Sequence, residues 1–233
     1  MDTLASRIQN SPSTFWSILV IIVILAGLLV LLAPAEATIG QGIRIVYIHV
    51  ALIWSGMLIL LVAGLLGLII LLSGRDRLAG WMQAIAWTGL VIFASGVITS
   101  LAAEIVNWGG IAWREPRTAA NLNLLAIAII TQVINSWLAK PRLNGGLNFL
   151  LAAAIVWTTL STEVQLHPDN AVGDATSSTI QFAFYGLTIL CLIAAATVIL
   201  YVRGRQIAAQ NQEPVLAGNV GNDRSGLSSN EGN

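Results

Sequence analysis

Residues 45–72 read IVYIHVALIWSGMLILLVAGLLGLIILL, an apolar stretch of 28 residues without a charged side chain. As an α-helix this stretch would be about 42 Å long, whereas the hydrocarbon core of a bilayer is about 30 Å thick. The stretch therefore predicts a transmembrane helix, with about eight residues left over to project beyond the hydrocarbon.

Five further apolar runs have the length of a membrane span, about 20 residues. The six predicted spans are residues 15–33, 45–72, 80–106, 118–139, 147–164 and 179–202. Because backbone groups in lipid must bond within their own segment, each span is expected to be helical. The sequence predicts an all-α fold, a polytopic membrane helix bundle with six transmembrane helices over residues 15–205. Residues 1–14 form a cytoplasmic N-terminus, and the polar residues 206–233 a disordered cytoplasmic tail.

The composition excludes several classes of function. Of the 233 residues 56% are hydrophobic and 9% are charged, whereas a soluble domain carries about a quarter charged residues. Eleven basic residues balance eleven acidic ones, so charge gives no reason to expect nucleic acid as a partner. Cys191 is the only cysteine, so the chain has no internal disulfide and no pair of cysteines for a redox or zinc motif.

The distribution of basic residues predicts the orientation, because cytoplasmic loops carry an excess of Lys and Arg. With six spans, both termini share one side, and seven basic residues lie near the span ends there, apart from Arg224 in the tail, against three on the other side. The seven are Arg7, Arg75, Arg77, Lys140, Arg142, Arg203 and Arg205, and the three are Arg44, Arg114 and Arg117. The termini are therefore expected in the cytoplasm.

The first span has an alternative interpretation as a signal peptide. The residues at 35–37, AEA, resemble a signal-peptidase site that follows an apolar run. That run is about 17 residues long, longer than the 7–15 residues of a signal core, and Arg7 is the only positive charge before it. We expect the span to be retained, with cleavage as the alternative.

The only two histidines, His49 and His167, are both predicted to lie at the outer face. His49 is the fifth residue of the second run, and His167 follows the end of the fifth run by three residues. Two neutral imidazoles at one depth suit a haem iron, which accepts two axial ligands. The alternative is that each histidine only bonds to a carbonyl or to water near a helix end.

The same face carries arginines and a tryptophan-containing loop, residues 107–117, which read NWGGIAWREPR. The guanidinium groups of Arg44, Arg114 and Arg117 suit carboxylates such as the propionates of haem, or they anchor helix ends near headgroups. Indole rings such as those of Trp108 and Trp113 stack on flat apolar ligands, although tryptophan is also common at membrane interfaces.

Polar residues and glycines inside the spans indicate how the helices pack. Asn121, Gln132 and Asn135 share one face of the fourth span, which indicates interhelical hydrogen bonding or, alternatively, a substrate path. Small residues let helix backbones approach closely, so the glycines of the second span are expected at helix contacts. They are Gly56, Gly64 and Gly67.

Residues 42–50, GIRIVYIHV, followed by Trp54 and Ser55, resemble the start of the second span in the CcmC family. These are haem-handling membrane proteins of the bacterial cytochrome c maturation system. The resemblance implies that Arg44 precedes an axial ligand, His49, and that the second axial ligand is His167, after the fifth span. It also implies a haem-binding, tryptophan-rich segment between the third and fourth spans.

The tryptophan-rich segment departs from the family pattern, which reads roughly W-G-x-x-W-x-W-D. Trp108 and Gly109 match, Glu115 replaces the Asp, and Ala112 and Arg114 replace two tryptophans, with Trp113 between them. Pro116 and Arg117 fit the residues that follow. The resemblance implies a haem b site with these residues: His49 and His167 as axial ligands, with Trp108, Gly109, Trp113, Arg44, Arg117 and Glu115.

The resemblance implies haem binding and presentation at the outer face of the bacterial cell membrane, for delivery to a haem chaperone. The implied partners are ATP-binding-cassette haem exporter subunits, the chaperone, a small single-span subunit and membrane lipid. Since the chain would supply ligation and electrostatics, it is not expected to be an enzyme. The alternatives are a synthetase-type haem-attachment factor, and a permease or structural membrane subunit without a cofactor.

Overall fold

The computed structural model describes residues 7–9, 11–35, 39–163 and 177–227, with side chains as far as residue 210. The described part contains six long helices, and all its elements are helical. The helices are α1 (Pro12–Leu32), α2 (Ile43–Ser73), α3 (Ala79–Trp108), α4 (Pro116–Trp137), α5 (Pro141–Ser161) and α6 (Ser178–Leu227), with a 3₁₀ turn at Asp76–Leu78. Each is long and apolar enough to cross a membrane, so the chain is a multi-pass membrane protein and the predicted fold class is confirmed.

Proline and glycine set the helix boundaries. Proline lies in the first turn of α1, α4 and α5, where its missing N–H costs no hydrogen bond. Gly74 and Gly109 follow α2 and α3 with φ values of 63° and 75°, the left-handed conformation that commonly ends a helix. The fifth helix begins at Pro141, six residues before the predicted run, and among the polar residues of its first turns Asn148 is buried and Asn144 half-buried in the bundle.

The helices have two ends, which define two faces of the bundle. The Trp108 face is the end at which α2 and α4 begin and α3 and α5 end. The termini face is the opposite end, at which α1 begins and the membrane part of α6 ends. The loop of residues 109–115 lies at the Trp108 face, and the turns at residues 74–78 and 138–140 lie at the termini face.

The central helix is α2, which contacts α3 and α5 most extensively and also contacts α1 and α6. A Cβ atom on Gly56 would lie 2.5 Å from the backbone nitrogen of Phe93 in α3. On Gly96 it would lie 2.7 Å from the backbone nitrogen of Ile53. Both pairs belong to one antiparallel register, so α2 and α3 lie backbone against backbone and only glycine fits at these points.

The contact between α2 and α5 is equally close. A Cβ on Gly67 would lie 2.5 Å from the carbonyl oxygen of Gly145, and one on Gly64 would overlap Ala152. In lipid, helices associate through van der Waals packing because burial of apolar surface gives no advantage there. The glycines of α2 therefore lie at helix contacts, as their sequence pattern predicted.

The helices α1 and α6 pack against each other at the side of this core. Phe15 of α1 stacks on Tyr201 of α6, with ring centroids 4.1 Å apart and an interplanar angle of 15°. Tyr47 of α2 is buried with Phe184 and Leu187 of α6, which joins the pair to α2. Many apolar side chains on the outside of the bundle are exposed, as expected for surfaces that contact lipid.

The last helix extends beyond its membrane-spanning part. The backbone of α6 continues as a helix to Leu227. The cost of helix formation lies in the first turn, and residues added to an existing helix avoid that cost. The disorder of the tail, residues 206–233, stays a prediction. Residues 228–233 lie outside the described residues.

Substitution of Gly56 by Ala tests the packing of α2. The new methyl group meets the backbone of Phe93, which cannot yield as a side chain would, so we expect a loss of about 1–3 kcal/mol of stability. Gly27→Ala in α1 is the matched control, because nothing lies within 4 Å of its Cβ position. Unfolding in lipid bicelles measures both variants, and equal stability of the two would contradict the close approach of α2 to α3.

Candidate functional site

His49 lies about two turns into α2 from the Trp108 face, and only 6% of it is exposed. Its Nδ1 is 3.3 Å from the carbonyl oxygen of Ile45, one helical turn earlier. A carbonyl only accepts, so Nδ1 carries the proton and the lone pair of the neutral ring is on Nε2. Metal-binding histidines commonly donate their other N–H to a carbonyl in this way, and so do histidines in ordinary helices.

The neighbours of His49 along α2 show which helix it faces. Ile53 and Gly56, four and seven residues later, lie on the same side of α2 and contact α3. In the antiparallel register of those contacts, His49 is level with Ser100. The structure buries His49 close to the contact between α2 and α3, near the Trp108 face. Its predicted depth at the membrane interface stays a prediction.

His167 lies outside the described residues, within the segment 164–176. The described chain before it ends at Glu163, two residues after α5 ends at the Trp108 face. Four residues of chain span at most about 14 Å. The meeting of the two histidines at one site stays a prediction.

Glu104, near the end of α3, is a site residue that the sequence interpretation missed. Only 1% of it is exposed, and its carboxylate accepts two hydrogen bonds. The backbone N–H of Ala112 donates to Oε2 at 2.8 Å, and the hydroxyl of Thr118 in α4 donates to Oε1 at 2.6 Å. Glu104 therefore fixes the loop of residues 109–115 between α3 and α4. A carboxylate within the apolar run 80–106 was the available signal, because such residues in spans are rarely incidental.

The two tryptophans of this segment present flat apolar surface to the exterior. Trp108 is the last residue of α3 and is 47% exposed, and Trp113 in the loop is 66% exposed. Gly109 ends α3, and its N–H donates to the carbonyl of Ile105 at 2.9 Å. The helix end accounts for Gly109, whereas the exposure of the two indoles leaves them accessible to a ligand.

Glu115 is buried at the start of α4, with 1% of the residue exposed. Its backbone N–H donates to the carbonyl of Ala112 at 2.9 Å, and its carbonyl accepts from the N–H of Ala119 at 3.2 Å. Glu115 therefore belongs to the turn that leads into Pro116, and it is buried whereas the tryptophans are exposed. A ligand that stacks on the indoles would not meet this carboxylate at the surface.

Arg44 and Arg117 each retain donor capacity at the Trp108 face. A terminal nitrogen of Arg44, Nη2, donates to the carbonyl of Leu31 at 3.0 Å, in the last turn of α1, where a positive charge is favourable. Anchoring of a helix end was the alternative that the sequence left open for these arginines. The Nε atoms of Arg44 and Arg117 are buried, and among the described atoms neither has a hydrogen-bond partner. Two N–H groups are therefore unpaired donors among the described atoms, and both are covered by the surrounding protein.

The polar stripe of α4 takes part in interhelical bonding, the first of its two interpretations. Gln132 and Asn135 are buried, and Gln132 donates to Asn148 of α5 at 3.0 Å. Asn121, near the other end of α4, is half-buried. Gln132 and Asn135 are thus part of the contact between α4 and α5 on the termini face.

Comparisons with known proteins do not assign a family. No protein-family model matches the chain, and no curated protein matches it. The assignment of a function therefore depends on the residues and contacts described above.

Replacement of Glu104 by Ala tests its role in the loop. The amide of Ala112 and the hydroxyl of Thr118 lose their acceptor, at about 1–3 kcal/mol, so the amide should exchange its hydrogen about tenfold faster or more. Hydrogen exchange of residues 109–115 measures the effect. Glu163→Ala is the control, since Glu163 is exposed at the same face, and unchanged exchange in Glu104→Ala would contradict the assigned role.

Proposed function

We propose that the chain binds haem b at the Trp108 face and presents it there to a haem chaperone during cytochrome c maturation. His49 and His167 are the proposed axial ligands, and the Trp108 face is the proposed outer face of a bacterial cytoplasmic membrane, with both termini in the cytoplasm. The observation that carries the proposal is His49 itself: its Nδ1–H is committed to the carbonyl of Ile45, and Nε2 holds the lone pair.

Other residues at the Trp108 face fit the chemistry of haem. Trp108 and Trp113 offer exposed indole faces to a flat apolar ring. The buried Nε–H groups of Arg44 and Arg117 are donors for carboxylates, the groups that haem carries as propionates. A ligand with a flat ring and two anionic groups matches these residues better than a linear lipid or a simple ion does.

The burial of His49 sets a condition on binding. With 6% of the residue exposed, Nε2 reaches an iron only if the ends of α2 and α3 at the Trp108 face move apart or the ring turns outward. Glu104 holds the loop of residues 109–115 to α3 and α4, so the tryptophans keep their place while this opening occurs. We propose that haem is thereby held reversibly, as presentation to a second protein requires.

In this role the chain's residues bind, orient and release the ligand. Bound haem supplies an iron with two open axial positions and two carboxylates. His49 would hold the metal, the arginines would neutralise charge, and the indoles would fix the plane of the ring. No covalent change in the ligand is needed, so we propose a binding protein rather than an enzyme. The proposed partners are ATP-binding-cassette exporter subunits, a small single-span subunit and the chaperone.

Absorption spectroscopy of the purified protein tests axial ligation. We expect a bis-imidazole Soret band in the wild type, and its loss in His49→Ala and in His167→Ala, because these are the only two histidines. Added imidazole should restore the band in both variants, which controls for unfolding. A wild-type band that survives both substitutions would rule out the proposed ligands, and a wild type that binds no haem would favour a permease or structural subunit.

Haem affinity tests the role of the exposed indoles. Trp108→Ala and Trp113→Ala should each weaken binding by about 0.5–1.5 kcal/mol, up to roughly tenfold, through lost stacking. Trp137→Ala is the matched control, because Trp137 is 84% exposed but lies at the termini face. Titration of the reconstituted protein with haem measures all three, and an equal effect of Trp137→Ala would show that the indoles act only as membrane anchors.

A further inference from the structure

A partly enclosed cavity of about 190 Å³ lies at the termini face, between α3, α4 and α5. At about 30 Å³ per water molecule, its volume corresponds to about six waters. Its lining includes Gln83 of α3, Asn135 of α4, Lys140 before α5 and Asn144 of α5. It is separate from the proposed haem site, which lies at the other end of the bundle.

The hydrogen bonds around this cavity fix the orientation of its amides. Asn148 donates through Nδ2 to the backbone carbonyl of Asn144 at 2.9 Å, and a carbonyl only accepts. Its Oδ1 therefore accepts from Nε2 of Gln132 at 3.0 Å. Gln132 in turn accepts through Oε1 from Nδ2 of Asn135 at 3.5 Å. This series of hydrogen bonds ends at Asn135, whose Oδ1 is thus an acceptor.

A second amide is oriented independently. Asn144 donates through Nδ2 to the backbone carbonyls of Leu138 at 2.9 Å and of Asn135 at 3.3 Å. Its Oδ1 is consequently the second unpaired acceptor among these amides. The Oδ1 atoms of Asn135 and Asn144 are both buried, and neither has a hydrogen-bond partner among the described atoms. Since 6% of Asn135 is exposed, its oxygen is deprived of water at a cost unless a donor occupies the cavity.

The charge around the cavity and its depth in the bundle restrict which kind of hydrogen-bond donor can occupy it. Lys140 is exposed at the edge of the cavity and precedes the first turn of α5, where backbone N–H groups also favour an anion. Two residues of the cavity lining therefore carry unpaired acceptors, and the rim of the cavity is positive. Asn135 is two residues from the end of α4, and the neighbouring Trp137 is 84% exposed, as is typical of tryptophans at the headgroup level.

We propose that this cavity binds the headgroup of phosphatidylethanolamine. The primary ammonium donates to the Oδ1 atoms of Asn135 and Asn144, and the phosphate pairs with Lys140, with the amide of Gln83 as a further donor. The acyl chains remain in the bilayer beside the bundle. A choline headgroup has the same charges but no N–H, so it cannot satisfy the two oxygens. A simple cation would satisfy them but would be repelled by Lys140.

Native mass spectrometry of the full chain released from nanodiscs tests the proposal. The nanodiscs contain equal amounts of phosphatidylethanolamine, phosphatidylcholine and phosphatidylglycerol. We expect one phosphatidylethanolamine retained about tenfold more often than either other lipid, and about tenfold less of it in Asn135→Leu, which lacks the acceptor. Asn121→Leu is the matched control, a half-buried amide of the same helix that does not line the cavity.

Lys140→Gln is a second test, for the case that Asn135→Leu fails to fold. Because Lys140 is exposed, we expect its replacement to leave folding intact. We expect it to lower the retention of phosphatidylethanolamine while leaving the haem spectrum unchanged. Equal retention of phosphatidylcholine would overturn the proposal and leave water as the occupant. If free phosphoethanolamine at equal concentration displaces the lipid, the ligand is the free compound and the proposed lipid is wrong. Neither result depends on whether the chain binds haem.

Discussion

The close approach of α2 to α3 and α5 is the constraint on which the other contacts depend. Glycines at the crossing points, such as Gly56 and Gly67, let backbones meet where any side chain would hold them apart. In a membrane this packing must replace the hydrophobic effect as the source of helix association. Once α2 is fixed in its register, α3, α5 and α6 pack against it, and α4 packs against α3 and α5. The two polar regions of the bundle then take their places at opposite ends.

That register also connects the fold to the proposed haem site. The register places His49 opposite Ser100 of α3, near the Trp108 face. Glu104, near the end of α3, holds the loop of residues 109–115 to α4. The proposed axial ligand and the proposed stacking surface thus belong to elements that are fixed by different interactions. In the proposal, opening of the α2–α3 contact would uncover the imidazole while Glu104 still holds the loop to α3 and α4. At the termini face, the amides of α4 and α5 make the complementary contact.

The sequence predicted the fold well because lipid permits few alternatives. Length and polarity located all six helices, and proline and glycine account for several of their ends. The candidate site was predicted only in part. Sequence position brought His49 and Trp108 to one face, but it did not indicate the burial of His49 or Glu115, which depends on helix rotation. Glu104 was missed because its partners, Ala112 and Thr118, become neighbours only when the loop closes.

The central claim is that the two histidines of this chain ligate one haem iron. Protein labelled with ¹⁵N at histidine alone, loaded with haem and oxidised, gives the most direct measurement through pulsed electron paramagnetic resonance. Since His49 and His167 are the only histidines, every ¹⁵N coupling to the iron reports on one of them. The account predicts a low-spin ferric signal coupled to two labelled nitrogens. A haem signal without coupling to two labelled nitrogens would contradict it.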